Sequence, residues 1–115
     1  MSAEPAAAVL AIDGGNSKTD VALIADDGSI VGRAGGPGSN AQQIGIDQAF
    51  AVLSDLVSQA VERAGLADRW KPGEVIARYT LACLAGADLP EEEEILGAAV
   101  RARGWSPASR VVNDT

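Results

Sequence analysis

The sequence predicts an α/β domain built on a mixed sheet, with elements in the order β-β-β-α-β-α-β. Three observations lead there. Two apolar runs, Val9–Ile12 and Val21–Ala25, flank a glycine-containing turn, and a third run, Ile30–Ala34, follows the strong turn Asp26-Asp27-Gly28-Ser29. Beyond residue 45 the apolar residues recur at three- and four-residue steps, the period of a helix face. Two later apolar runs, Val75–Leu84 and Arg110–Asn113, are separated by a second helical stretch. Hairpins followed by helix-separated strands imply antiparallel pairing first and parallel, helix-covered pairing afterwards.

Each element has its own justification. Residues 1–7 read as a loose tail, residues 8–13 as the first strand and 18–25 as the second. Residues 30–34 form a third strand antiparallel to the second. Gly35-Gly36-Pro37-Gly38-Ser39-Asn40 is expected to be irregular, since glycine and proline dominate it. A helix over 46–64 presents Phe50, Leu53, Val57, Ala60, Val61 and Ala64 on one face, carries Asp47 in its first turn and stops at Gly65. Lys71-Pro72-Gly73 breaks the chain before the fourth strand, 75–84. Pro90 suits a helix start, Glu91–Glu94 favour its N-terminal end, Arg101 and Arg103 its C-terminal end, and Gly104 stops it. The glutamate run therefore reads as a helix start with a solvated face and not as a metal site. Residues 110–113 make the last strand.

Composition excludes several classes of function. With 115 residues the chain makes one domain able to bury a real core, and 47% of its residues are apolar with few aromatics. Nine basic residues against 16 acidic ones give a formal charge of −7, which argues against a nucleic-acid backbone or an anionic membrane as partner. Cys83 stands alone and histidine is absent, so no internal disulfide, no Ser-His or Cys-His pair and no His-ligated zinc can form. Cys83 itself is expected to be a small core residue. The segment Met1–Ala8 contains an acid and a proline and lacks the basic region of a secretory signal, and no apolar run reaches bilayer length. A soluble, cytoplasmic protein is the expectation.

Three stretches carry the candidate chemistry. Asp13-Gly14-Gly15-Asn16-Ser17-Lys18-Thr19 gathers an acid, hydroxyls and an ammonium at a turn between two strands. Backbone N–H groups with Ser17, Lys18 and Thr19 can hold an anion there, and Asp13 its metal. The same pattern also makes a plain hairpin, and it has the spacing of neither the P-loop nor the dinucleotide fingerprint. Gly38, Ser39 and Asn40 close the second stretch. Asn40 offers the donor and acceptor that sugar hydroxyls require, or else stands near a helix start. Asp114, in Val111-Val112-Asn113-Asp114-Thr115, follows the last strand, and ligands of open α/β sheets gather beyond the carboxyl ends of strands. It can accept a proton from an attacking hydroxyl, or Asn113-Asp114 can cap a following helix. Leu84-Ala85-Gly86-Ala87-Asp88 after the fourth strand reads as a plain turn rather than a substrate-wall loop.

The order of elements matches the ribonuclease-H-like half of the actin and sugar kinase superfamily. Asp13–Thr19 is similar to the first phosphate motif of the BadF/BadG/BcrA/BcrD ATPase family, which includes the N-acetylglucosamine kinases. Gly36-Pro37-Gly38-Ser39-Asn40 resembles those kinases' sugar-binding loop, and Val111–Thr115 the segment holding the catalytic aspartate of hexokinase-like sugar kinases. The resemblance spans nearly the whole chain. It implies ATP and Mg²⁺ as cofactors, with Asp13 acting on the metal through water and Gly14, Gly15, Asn16, Ser17, Lys18 and Thr19 holding terminal phosphates. It also implies Gly38, Ser39, Asn40 and Asp114 on a small-molecule sugar, with Asp114 as base, and it is compatible with a homodimer. Family members carry a second, C-terminal ATPase domain, so residues 8–115 are expected to be the N-terminal domain and to show no kinase turnover alone. Two other readings remain open from the same resemblance, an ATPase activator of an acyl-CoA dehydratase or reductase and a non-catalytic sugar-binding regulator.

Overall fold

A computed structural model describes residues 5–113. Five strands form one sheet: β1 (Ala7–Gly14), β2 (Lys18–Ile24), β3 (Ile30–Pro37), β4 (Ala77–Leu84) and β5 (Ala108–Asn113). A single-turn helix α1 (Ala41–Ile44), a long helix α2 (Ile46–Arg63) and α3 (Pro90–Arg103) are the helices of the described residues. The sheet order is β3-β2-β1-β4-β5, with β1, β2 and β3 antiparallel in turn and β1, β4 and β5 parallel. This is the mixed sheet that hairpins followed by helix-separated strands require.

Alternation along each strand puts one face under the helices. Leu10 and Ile12 of β1, Val21 and Leu23 of β2, Ala82 and Leu84 of β4 and Val111 of β5 are buried in one core with Phe50, Leu53, Leu56, Val57, Ala60 and Val61 of α2 and Leu96 and Val100 of α3. Helix α2 lies on β2 and β3, and α3 on β5. Among the described residues the opposite face has no helix. Val9, Ala11, Ala22, Ile24, Tyr79, Leu81 and Val112 lie there, all half-buried.

Local chemistry explains the punctuation. In the β2–β3 turn Asp27 Oδ1 accepts the Ser29 hydroxyl at 2.7 Å and the Ser29 N–H at 2.9 Å, which holds its carboxyl below the usual range. Helix α2 closes with Gly65 N–H on the Glu62 carbonyl and Leu66 N–H on that of Val61, and α3 ends at Gly104 in the left-handed region. Glu92 accepts the Leu89 N–H at 3.0 Å, satisfying a donor at the α3 start.

Three expectations are corrected. Residues 35–37 are not irregular: β3 continues through them, Gly35 opposite Asp20, Gly36 opposite Thr19 and Pro37 opposite Lys18. Edge position makes this tolerable, because Pro37 at the strand end gives up no essential ladder bond, and the bare Gly36 lets Leu56 of α2 close in. Asn40 stands at a helix start, one of the two readings of it, but the helix is the single turn α1, too short for any periodicity to show. Cys83 is half-buried on the helix-free face, since its strand neighbours Ala82 and Leu84 take the core side. Of the N-terminal tail, residues 1–4 lie outside the described residues, and Ala7 already pairs with Ala77.

Candidate functional site

Gly14 of β1, Leu84 of β4 and Asn113 of β5 stand in one register row at the carboxyl ends of the three parallel strands. Three connections leave from this edge: the β1–β2 hairpin, the β3–α1 loop and the β4–α3 loop. The hairpin is tight. Gly15 N–H donates to the Lys18 carbonyl at 2.9 Å, and Asn16, Ser17 and Lys18 at the tip are exposed. An exposed tip with an ammonium, a hydroxyl and an amide suits an anion such as a phosphate.

The β3–α1 loop is locked onto that hairpin. Ser39 N–H donates to the Gly15 carbonyl at 3.1 Å, and Asn40 Nδ2 donates to Asn16 Oδ1 at 2.7 Å. Close approach demands glycine at two points. A Cβ on Gly38 would stand 2.0 Å from the Asn16 carbonyl oxygen, and one on Gly14 would stand 2.5 Å from Ser39 Oγ. The two glycine-containing stretches picked out separately in the sequence are thus one unit, and these glycines serve loop-on-loop packing.

Several candidate side chains have partners inside that unit. Thr19 is fully buried and donates to the buried Ser39 hydroxyl at 2.8 Å, so this pair joins the loops beneath the surface. Asn40 caps α1, its Oδ1 accepting the Gln42 N–H at 2.8 Å while its Nδ2 reaches Asn16. Its second amide hydrogen and the remaining lone pair of Oδ1 are the capacity left for a ligand.

Asp13 sits one residue before this edge on the helix-free face, exposed, and directly opposite Asp20 of β2. Both carboxylates line a groove of about 370 Å³ with Ala11, Leu81, Cys83 and Arg33. Like charges opposite one another on adjacent strands repel, and an oxygen-bound cation between them relieves the repulsion. This donor set fits Mg²⁺, which takes one or two carboxylates and completes its shell with water and phosphate oxygens. Among the described residues no cluster of three or more His, Cys, Asp or Glu side chains forms a metal cage. Asp20 was missed in the sequence; its register opposite Asp13 is the signal that finds it. Asp114 lies outside the described residues, and its neighbour Asn113 buries an Oδ1 that has no hydrogen-bond partner among the described residues.

The chain matches no family model and no curated protein. Solved structures do match. The chain superimposes on one named a putative N-acetylglucosamine kinase from Chromobacterium violaceum with a TM-score of 0.69 at 21% identity, covering 96% of this chain and 36% of that one. A second structure of the same name, from Porphyromonas gingivalis, gives a TM-score of 0.67 at 23% identity over 92% of this chain and 34% of that one. The chain therefore spans about a third of the length of the solved structures it matches. At such identities the likeness is one of fold: the mixed α/β sheet of the first part of the actin-like ATPase fold.

Proposed function

We propose that this chain is the phosphate- and sugar-binding part of an ATP-dependent kinase that phosphorylates a hydroxyl of an amino sugar, in the manner of an N-acetylglucosamine or glucosamine kinase. One observation carries the reading: the exposed hairpin tip 16–18 and the Ser39–Asn40 loop are locked together at the carboxyl edge of β1, β4 and β5. A phosphate held at the tip and a hydroxyl held at Asn40 would be neighbours. The likeness of fold to structures named for this activity supports it.

The roles follow from chemistry. Phosphoryl transfer needs chiefly positioning and neutralisation of charge. The backbone around Gly15–Ser17 and the Lys18 ammonium would hold the terminal phosphates, and Asp13 with Asp20 would hold Mg²⁺, which supplies charge neutralisation at the transferred group. Asn40 would orient the sugar hydroxyl, and Asp114 would accept its proton. Thr19 and Ser39 act by fixing the loop geometry. No helix among the described residues is long and apolar enough to cross a membrane, and a cytoplasmic setting belongs to the same proposal.

The test is ATP consumption by the full polypeptide carrying this chain, against a panel of sugars. Amino sugars should support turnover, and Asp114→Asn should lower kcat by about 10²–10⁴-fold, the worth of a general base. Unchanged turnover in that variant would remove Asp114 from the mechanism, and turnover with no sugar on the panel would remove the kinase reading.

A further inference from the structure

Beside the locked loops lies a crevice of about 210 Å³ between α1 and α3, lined by Gln42, Ile46, Gly86, Glu92, Ile95 and Leu96. We propose that it receives the substituent on the sugar's nitrogen and admits N-acyl groups longer than acetyl; this rests on the kinase reading of the adjoining site. Three observations converge on it.

The first is position. A Cβ on Gly86 would stand 2.6 Å from Asn40 Oδ1, and that same oxygen accepts the Gln42 N–H, so the crevice opens next to the group assigned to the hydroxyl. The second is the polar rim. Gln42 Nε2 donates to the Gly86 carbonyl at 3.0 Å and to Glu92 Oε2, while Glu92 Oε1 is held by the Leu89 N–H. Two acceptors facing the Gln42 nitrogen fix the amide's orientation and leave the Gln42 Oε1 as an acceptor. An N-acyl N–H is the donor that matches it.

The third is the wall. Ile95 is 58% exposed and Ile46 38%, an apolar pair left to water at the crevice, where Leu96 continues the apolar wall opposite the Gln42–Glu92 rim. A short alkyl chain beyond the amide covers them. Taking about 30 Å³ per water-sized group, the crevice holds roughly seven such groups, well over twice what the carbonyl and methyl of an acetyl need.

The experiment compares kcat/KM of the full polypeptide for glucosamine and its N-acetyl, N-propionyl and N-butyryl derivatives, in the native sequence and in Ile95→Trp. N-butyryl turnover should equal or exceed N-acetyl in the native protein. In Ile95→Trp, which fills the crevice from an exposed position, the ratio of N-butyryl to glucosamine kcat/KM should fall about tenfold or more. A steep loss from acetyl to butyryl in the native protein, or a ratio unmoved by Ile95→Trp, overturns this inference while the kinase reading stands. Failure to phosphorylate any of the four sugars overturns both.

Discussion

The two faces of the sheet are built from the same strands and do different work. On the helix-covered face β1 and β2 contribute Leu10, Ile12, Val21 and Leu23, which with Phe50 and Leu53 of α2 are at most 2% exposed. On the other face the same strands contribute Val9, Ala11, Ala22 and Ile24, half-buried, and then Asp13 and Asp20 as the strands approach the site. Burial is complete on the first and partial on the second, so folding energy concentrates under the helices. Charge that is costly to bury can then be placed on the second face, one residue from the hairpin.

Substitutions can break or sharpen that contrast. The largest effect is expected from Phe50→Ala, which opens a cavity under α2 and also removes the ring that Arg103 overlies at 5.4 Å; about 3–5 kcal/mol should be lost in denaturant unfolding. Leu81→Ala on the open face should cost distinctly less, about 1–2 kcal/mol, because half-buried methyl groups forgo less transfer energy and leave no closed cavity. Equal losses would mean that the open face is covered in solution.

Next in size is Gly38→Ala. Its Cβ would overlap the Asn16 carbonyl and part hairpin from loop, at about 1–3 kcal/mol. Amide resonances of residues 14–19 and 38–42 should move while those of α3 stay in place. Shifts spread evenly over the domain would deny that the two loops form a local unit.

Asn40 separates capping from loop-locking. Asn40→Asp keeps an oxygen for the Gln42 N–H but cannot donate to Asn16, whereas Asn40→Ala loses both. The alanine variant should cost about 1 kcal/mol and the aspartate variant less. Both should raise hydrogen exchange at the hairpin tip, and equal protection in the native protein and Asn40→Asp would show that the tie to Asn16 contributes nothing.

The smallest effect belongs to Asp20→Asn. Removing one of two opposed carboxylates should stabilise the protein by roughly 0.2–1 kcal/mol in the absence of divalent ions. It should also weaken the response of thermal unfolding to Mg²⁺. An unaltered Mg²⁺ response would leave Asp13 as the sole carboxylate on the metal.

The element sequence was legible because periodicity and punctuation are local. The face of α2 from Phe50 to Val61, the α3 start at Pro90 and its stop at Gly104 each follow from spacing or from a residue that cannot continue a helix. Misreadings arose where the decision is not local. Gly35–Pro37 has the composition of a loop, yet a partner strand supplies the ladder that holds it extended. Cys83 alternates onto the open face, and the sequence cannot say that α2 and α3 share the other. The site shows the same division. Asp13–Thr19 and Gly38–Asn40 stand out as motifs, but nothing local tells that Ser39 turns inward to Thr19 while Asn16–Lys18 stay exposed.

By itself, then, the sequence determined the order and type of the elements, the hairpin that presents Asn16–Lys18 and a side-chain set with no histidine and a single cysteine. Tertiary structure alone decided that hairpin and loop are one body, that Asp20 faces Asp13, and that a crevice opens between Gln42 and Ile95. The physical reason is range. Helix periods and turn residues act over three or four positions, whereas these contacts join residues 7, 24 and about 50 positions apart through strand register and side-chain hydrogen bonds.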